Sequence, residues 1–292
     1  MQELISKAAT LLEALPYIQR FRHATFVIKY GGSFMDSPDP AVRSGVARDI
    51  VFLEAVGINP VVVHGGGKAI TRAMEAAGLP ARFVQGQRVT DEAAVQVVEE
   101  VLSRQINPEI VAMIQQHGGK VCGYSGSDIF QCQKLELKGK DGEPLDLGCV
   151  GEVTGVATEP LRDCIRRSMT PVISPTARGA DGRLYNCNAD VAAAQAAIAL
   201  KAKRLVFMSD VPGLLRHPKD PASVIPHLPI SEVEALKRAG VIDRGMIPKV
   251  DSAVAALQAG IVEKVSFVDG RIEHAVLLEI FTDAGVGTEL VL

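Results

Sequence analysis

Short runs of consecutive apolar residues alternate along this chain with longer stretches in which apolar positions recur every three or four residues. The first pattern predicts buried strands and the second amphipathic helices. Phe26-Val27-Ile28 and Val61-Val62-Val63 are two such runs, and between them Val46, Ile50, Leu53 and Val56 fall at helical intervals. Strand, helix, strand in that order is a βαβ unit, with parallel strands and a right-handed crossover. The alternation returns in Val121-Cys122-Gly123-Tyr124, in Pro171-Val172-Ile173-Ser174, and over 204–209 and 263–268. It predicts an α/β fold, a three-layer α/β/α sandwich around a mainly parallel sheet.

Three stretches depart from that rhythm. Residues 131–156 form short alternating runs about Asp141-Gly142, which predicts an antiparallel hairpin lying as a flap beside the first half. Pro218, Pro221, Pro226 and Pro229 crowd 217–229, so a surface loop and candidate lid is expected there. At the start, Ile5, Ala8, Leu12 and Leu15 share one helical face until Pro16, which predicts a helix over 2–15. That face either folds back on its own domain or packs, as an arm, on another subunit. The expected organisation is an arm over 1–20, a first lobe over 21–180 and a second over 181–292.

With 292 residues, 47% of them hydrophobic, the chain has enough apolar surface for one large core or two smaller ones. A net charge of -3 argues against a nucleic-acid or membrane-surface role. Five cysteines, an odd number with no C-x-x-C pair, point to neither a disulfide framework nor a zinc knuckle, and fit a reducing cytoplasm. No signal peptide and no membrane span are expected from the apolar runs present.

The candidate chemistry gathers at strand ends, where open α/β sheets bind ligands. Lys29-Tyr30-Gly31-Gly32 follows the first strand, and its glycines let backbone N–H groups approach a ligand closely. His64-Gly65-Gly66-Gly67-Lys68 joins the second strand to a helix. Three bare glycines leave N–H groups and a helix N-terminus open to an anion. The spacing fits neither a Walker A loop nor a G-x-G-x-x-G fingerprint. Arg88 precedes a helix that Thr90 or Asp91 can cap, and its planar guanidinium suits bidentate capture of a carboxylate. Asn188 can cap an alanine-rich helix with Asp190 in its first turn, while Asn186, in an extended segment, faces the same side as Asn188. Lys249 begins a helix, where the dipole disfavours a cation; a phosphate ahead of it would supply the reason.

Taken in order, Lys29-Tyr30-Gly31-Gly32, His64-Gly65-Gly66-Gly67, Gly86 with Arg88-Val89-Thr90-Asp91, Asn186-x-Asn188-Ala189-Asp190, Ser209-Asp210-Val211-x-Gly213 and Gly245-Met246-Ile247-Pro248-Lys249 resemble the amino-acid-kinase family, from about Thr25 to the C-terminus. Within it the pattern is most similar to the branch that acts on N-acetyl-L-glutamate. The resemblance implies the amino-acid-kinase fold and transfer of the γ-phosphoryl group of ATP to that substrate's side-chain carboxylate, a step of arginine biosynthesis. Mg²⁺ would arrive with ATP, without a dedicated protein metal site. A carboxylate is already ionised near neutrality and needs no general base. The obstacle is bringing anion against anion, which calls for fixed positive charge and N–H donors.

The same resemblance implies roles for single residues. Lys29 and Lys249 would stabilise the transferring group from opposite ends, and Asp190 would hold both. Gly66, Gly67, Arg88, Asn186 and Asn188 would bind the acceptor, with Arg88 on its α-carboxylate. Gly31, Gly32, Ser209, Asp210, Gly213 and Met246 would cradle phosphates and nucleotide. Leu15-Pro16-Tyr17-Ile18, His274 to Glu279 and Gly285-x-Gly287-Thr288 resemble the arginine-inhibited branch, whose N-terminal helices interlace dimers into hexamers. This implies a homo-oligomer, and L-arginine bound near Tyr17, His274, Glu279 and Gly287. Lys68, Gln87 and Ser125-Gly126-Ser127-Asp128 depart from the family's pattern. They leave open a carboxylate kinase for another acylated amino acid, or an arginine-sensing binding protein that partners a PII protein.

Overall fold

Phe26, Val27 and Ile28 have no exposed surface, because they form the middle of a central sheet covered on both faces. The computed structural model describes residues 1–31, 39–139, 141–217, 220–243 and 245–292. Among these, eight strands form the main sheet: β1 (Thr25–Tyr30), β2 (Asn59–His64), β3 (Val121–Tyr124), β4 (Thr170–Ile173), β5 (Arg204–Ser209), β6 (His227–Pro229), β7 (Lys264–Asp269) and β8 (Thr288–Val291). Their order is β6-β8-β7-β5-β1-β2-β4-β3. From β3 to β7 every pairing is parallel; β8 runs antiparallel to β7, and β6 lies parallel to β8 at the edge.

Alternation along each strand feeds two separate cores. Val27, Val61, Val63, Leu205 and Phe207 face one layer, which includes the alanine-rich helix Ala189–Ala199. Phe26, Ile28, Val62, Val206 and Met208 face the other, built on Ile50, Leu53, Val98 and Leu102. These are the two helical layers of the expected sandwich. The chain leaves β1 for β2 on one side and returns through β5 on the other, so the carboxyl ends of β1 and β5 flank a crevice of the kind that binds ligands.

Three expectations change. The helix over 2–15 continues to Phe21, with Pro16 inside it. Proline removes one helical hydrogen bond. The last turn is held instead by burial of Phe21 and by Tyr17 packed edge-on against Phe281, with centroids 6.4 Å apart. The expected flap pairs Phe130–Lys134 with Val150–Val156 as a hairpin should. Both strands also pair with a second hairpin, Thr176–Gly179 and Leu184–Cys187, closing a four-stranded ring. Closure satisfies edges that a free flap would leave open. In the proline-rich segment, 221–223 is an exposed turn, but 227–229 is the edge strand β6 with Leu228 buried. Proline is tolerated there because an edge strand does not need every N–H. Among the described residues no helix is long and apolar enough to cross a membrane.

Candidate active site

Lys29 is the fifth residue of β1, in register with Val63 of β2 and Phe207 of β5. Pleating puts its side chain on the same face as Val27, toward the start of the helix Ala189–Ala199. Its Nζ lies 2.9 Å from Asp190 Oδ1. Lys249, in the first turn of the helix Ile247–Gln258, reaches the same carboxylate, with Nζ 3.1 Å from both Oδ1 and Oδ2. The three side chains are only 10–15% exposed. Burial alone would raise the pKa of Asp190, but the charges and hydrogen bonds of the two lysines outweigh it and hold the carboxyl down at about 2. Burial, reinforced by the charge of Lys29, pushes Lys249 below the ordinary lysine value. One carboxylate between two ammonium groups leaves one net positive charge at the crevice.

Local sequence aims each member. Asn188 caps its helix, its Oδ1 accepting from the N–H of Asp190 at 2.8 Å and of Val191 at 3.4 Å. Asp190 then sits at the positive end of that helix dipole. Asp243 Oδ1 accepts from the N–H groups of Gly245 and Met246 at 3.0 Å each, and this turn delivers Lys249. A cleft of about 330 Å³ opens beside the cluster, lined by Lys29, Gly31, Ser209, Asp210, Met246 and Lys249 among others. Gly213 is not among its lining residues; at φ +145° it packs against Thr288, whose Oγ1 accepts from Leu214 N–H at 2.8 Å. Gly32 lies outside the described residues.

Across the crevice, Gly66 and Gly67 open the helix Gly67–Ala76. Arg88 is 7% exposed; its Nη2 donates to Gly67 O and to Thr71 Oγ1, both at 2.8 Å, and the guanidinium lies 4.6 Å over the Phe83 ring. Burial lowers its pKa. Asn186 Nδ2 donates to Thr90 Oγ1 at 3.2 Å, and Thr90 Oγ1 donates to Arg88 O at 2.8 Å. Gly67, Arg88 and Asn186 are thus joined through Thr71 and Thr90. Asp91 is the helix cap, accepting from Ala94 N–H at 2.8 Å, which frees the Thr90 hydroxyl for this link. Thr71 was missed by sequence reasoning, although its place one turn after Gly67 was a readable signal.

The residues expected to bind arginine divide. Tyr17 and Glu279 line one cavity of about 100 Å³ with Arg20, Arg204, Lys264 and Glu289. His274 instead faces a second cavity, its Nδ1 2.6 Å from the buried Asp49 Oδ1. Gly287 lies close against the carbonyl of Phe267, with no room for a side chain.

Residues 24–265 match the model of the amino acid kinase family. This chain belongs to that family. It is 47% identical over 289 residues to a protein of Akkermansia muciniphila named acetylglutamate kinase, covering 99% of this chain and 96% of the relative. A protein of the same name from Geobacter metallireducens is 48% identical over 297 residues, covering 99% of each. N-acetylglutamate synthase from Neisseria gonorrhoeae, solved with coenzyme A and N-acetyl-glutamate, superposes with a TM-score of 0.84 at 24% identity, over 98% of this chain and 63% of that one. At that identity the likeness speaks to the fold alone. As an amino acid kinase the chain is a phosphotransferase, and the cluster of Lys29, Asp190 and Lys249 lies at the crevice beside the carboxyl ends of β1 and β5.

Proposed function

We propose that this amino acid kinase transfers the γ-phosphoryl group of ATP to the side-chain carboxylate of N-acetyl-L-glutamate, giving an acyl phosphate and ADP in arginine biosynthesis. The observation that carries the reading is the pair Lys29 and Lys249 converging on Asp190 at the mouth of the cleft. The acceptor carboxylate attacks the γ-phosphorus, a new O–P bond forms, the bond to the β,γ-bridging oxygen breaks, and no proton moves. Charge spreads over the transferring group, and the two ammonium groups offset it from two directions. Asp190, ionised throughout the working pH range, orients the lysines and is no base. Arg88, Asn186 and the N–H groups of Gly66 and Gly67 hold the acceptor. The cleft beside Ser209, Asp210 and Met246 takes the nucleotide.

Mg²⁺ enters with ATP, held by its phosphates. Among the described residues no group of three or more His, Cys, Asp and Glu side chains is arranged to hold a metal ion. The five free thiols fit a reducing cytoplasm. The test is ADP formation with a panel of acceptors: N-acetyl-L-glutamate, glutamate, N-acetylaspartate and acetylaminoadipate. Turnover selective for the first supports the reading, and selective turnover of another reassigns the acceptor.

Regulation belongs to the same proposal. The cavity between the first helix and the C-terminal segment sets Arg20, Arg204 and Lys264 among Glu279 and Glu289, a mixed-charge lining that suits a free amino acid such as L-arginine. Ile5, Leu11, Leu12 and Leu15 stay exposed on the first helix, an apolar stripe suited to a second copy of this chain in a homo-oligomer. Unchanged activity in millimolar arginine would remove the first idea, and a monomer in sedimentation the second.

A further inference from the structure

Between the helices Glu92–Glu99 and Asn107–Gln116 the backbone winds as a π-helix over Glu100–Ile106. Such turns are rare and cluster at functional sites. An α-helix advances about 100° per residue, so it would carry Asn107 roughly 140° round from Leu102. In the wider i→i+5 winding each residue advances less, and residues five apart come back toward one face. Leu102, Ile106 and Asn107 consequently all face the end of β2. A Cβ placed on Gly66 would come 2.5 Å from Leu102 Cδ2 and 2.6 Å from Ile106 Cδ1, so these side chains lie directly under the glycine loop.

Asn107 is 4% exposed, and its Nδ2 lies 3.0 Å from Val172 O, 3.3 Å from His64 Nε2 and 3.4 Å from Tyr124 O. One amide thereby ties β2, β4 and β3 together at their carboxyl ends. Gly123 makes room for it, since a Cβ there would meet Asn107 Oδ1. An amide nitrogen only donates, so His64 Nε2 accepts. The ring proton then sits on Nδ1 and is donated to Gly65 O, 3.0 Å away. His64 is completely buried, and burial holds it neutral with a pKa of about 4.

We propose that Asn107 is a positioning residue for acceptor binding: through the His64 tautomer it sets the backbone of Gly65–Gly67, the loop whose Gly67 carbonyl receives Arg88. This role rests on the acceptor site proposed above. The nucleotide cleft is built on β1, β5 and the turn at Asp243, whereas the Asn107 amide bonds to β2, β3 and β4, so the larger effect falls on the acceptor.

The experiment is steady-state kinetics on the full chain carrying Asn107→Ala or Asn107→Asp, with ¹⁵N NMR of the histidine rings. Aspartate keeps the shape of asparagine but donates nothing to Val172 O, and it draws a proton onto His64 Nε2. Both variants are expected to raise KM for N-acetyl-L-glutamate at least tenfold while KM for ATP stays within twofold. In the wild type His64 carries its proton on Nδ1, and in Asn107→Asp also on Nε2. An unchanged acceptor KM, an equal rise in both KM values, or a wild-type His64 protonated on Nε2 overturns the role. A wild-type His64 protonated on Nε2 overturns the role even where a variant does not fold. Wild-type turnover of N-acetyl-L-glutamate with unaffected variants removes the positioning role alone. A wild type without such turnover removes the acceptor reading, and this role with it.

Discussion

Asp190 holds Lys249 through both carboxylate oxygens, each 3.1 Å from Nζ, while a third contact from Lys29 shares Oδ1. The carboxylate is the hinge pin of the cluster, because without it two ammonium groups would face each other inside a nearly closed space. Mutual repulsion of like charges at such range would swing at least one lysine into the cleft.

Asp190→Asn is therefore expected to lower kcat by about 10²- to 10³-fold, the usual cost of losing preorganised charge stabilisation. KM for ATP should change far less. Rapid-quench measurement of the first turnover checks this; a kcat within threefold of wild type would leave Asp190 a structural ion-pair partner and no more.

The alkaline limb of the rate profile should belong to Lys249. Burial and the charge of Lys29 lower its pKa, so it loses its proton at a pH where ordinary lysines stay charged. Activity is expected to fall as pH rises toward the ordinary lysine range. Lys249→Arg, less active through altered geometry, should lack that fall, because guanidinium stays protonated.

Acid stability should turn on His64. Its folded pKa of about 4 lies below the unfolded value of 6.5, so the unfolded chain takes up a proton first. Stability from the neutral ring is complete above pH 6.5 and declines as pH falls toward 4, by up to roughly 3 kcal/mol. Asp190 acts lower: with a folded pKa of about 2, its contribution is complete above about pH 4 and is lost toward pH 2. Thermal melts from pH 7 to 4 on the wild type and His64→Gln test the first window, which the variant should flatten.

Asn188 offers a milder test. Its Oδ1 accepts from two N–H groups at the start of the helix that carries Asp190. Asn188→Ala is expected to cost about 1 kcal/mol, and Asn188→Ser to recover most of it. Denaturant unfolding measures both, and an equal loss in the two variants would point to a role other than capping.

The sheet was legible because its strands are continuous apolar runs buried on both faces, with helical spacing between them. Lys29, Asp190 and Lys249 stood out as a group through the ordered motifs; only Lys249, at a helix start, sits where local structure disfavours its charge, and the fold brings all three together. The ring that closes over 130–187 was not, since the sequence pattern yields only the first hairpin, and two pairings between distant segments close the ring: Thr176–Gly179 with Phe130–Lys134, and Leu184–Cys187 with Val150–Val156. Pro16 misled because helix propensity was weighed without the burial of Phe21 that overrides it. His274 was grouped with Tyr17 by motif, but its left-handed backbone turns the ring toward Asp49. Asn107 gave no signal, because a π-turn has no reliable local pattern and the acceptors it reaches are backbone and ring atoms far away in sequence.

The most direct test traps the product. Purified protein with Mg-ATP, N-acetyl-L-glutamate and neutral hydroxylamine should form N-acetylglutamyl 5-hydroxamate in step with ADP, and Lys29→Ala should form neither at a comparable rate. ADP released without hydroxamate would mean that water, and not the acceptor carboxylate, receives the phosphoryl group, and it would contradict the account.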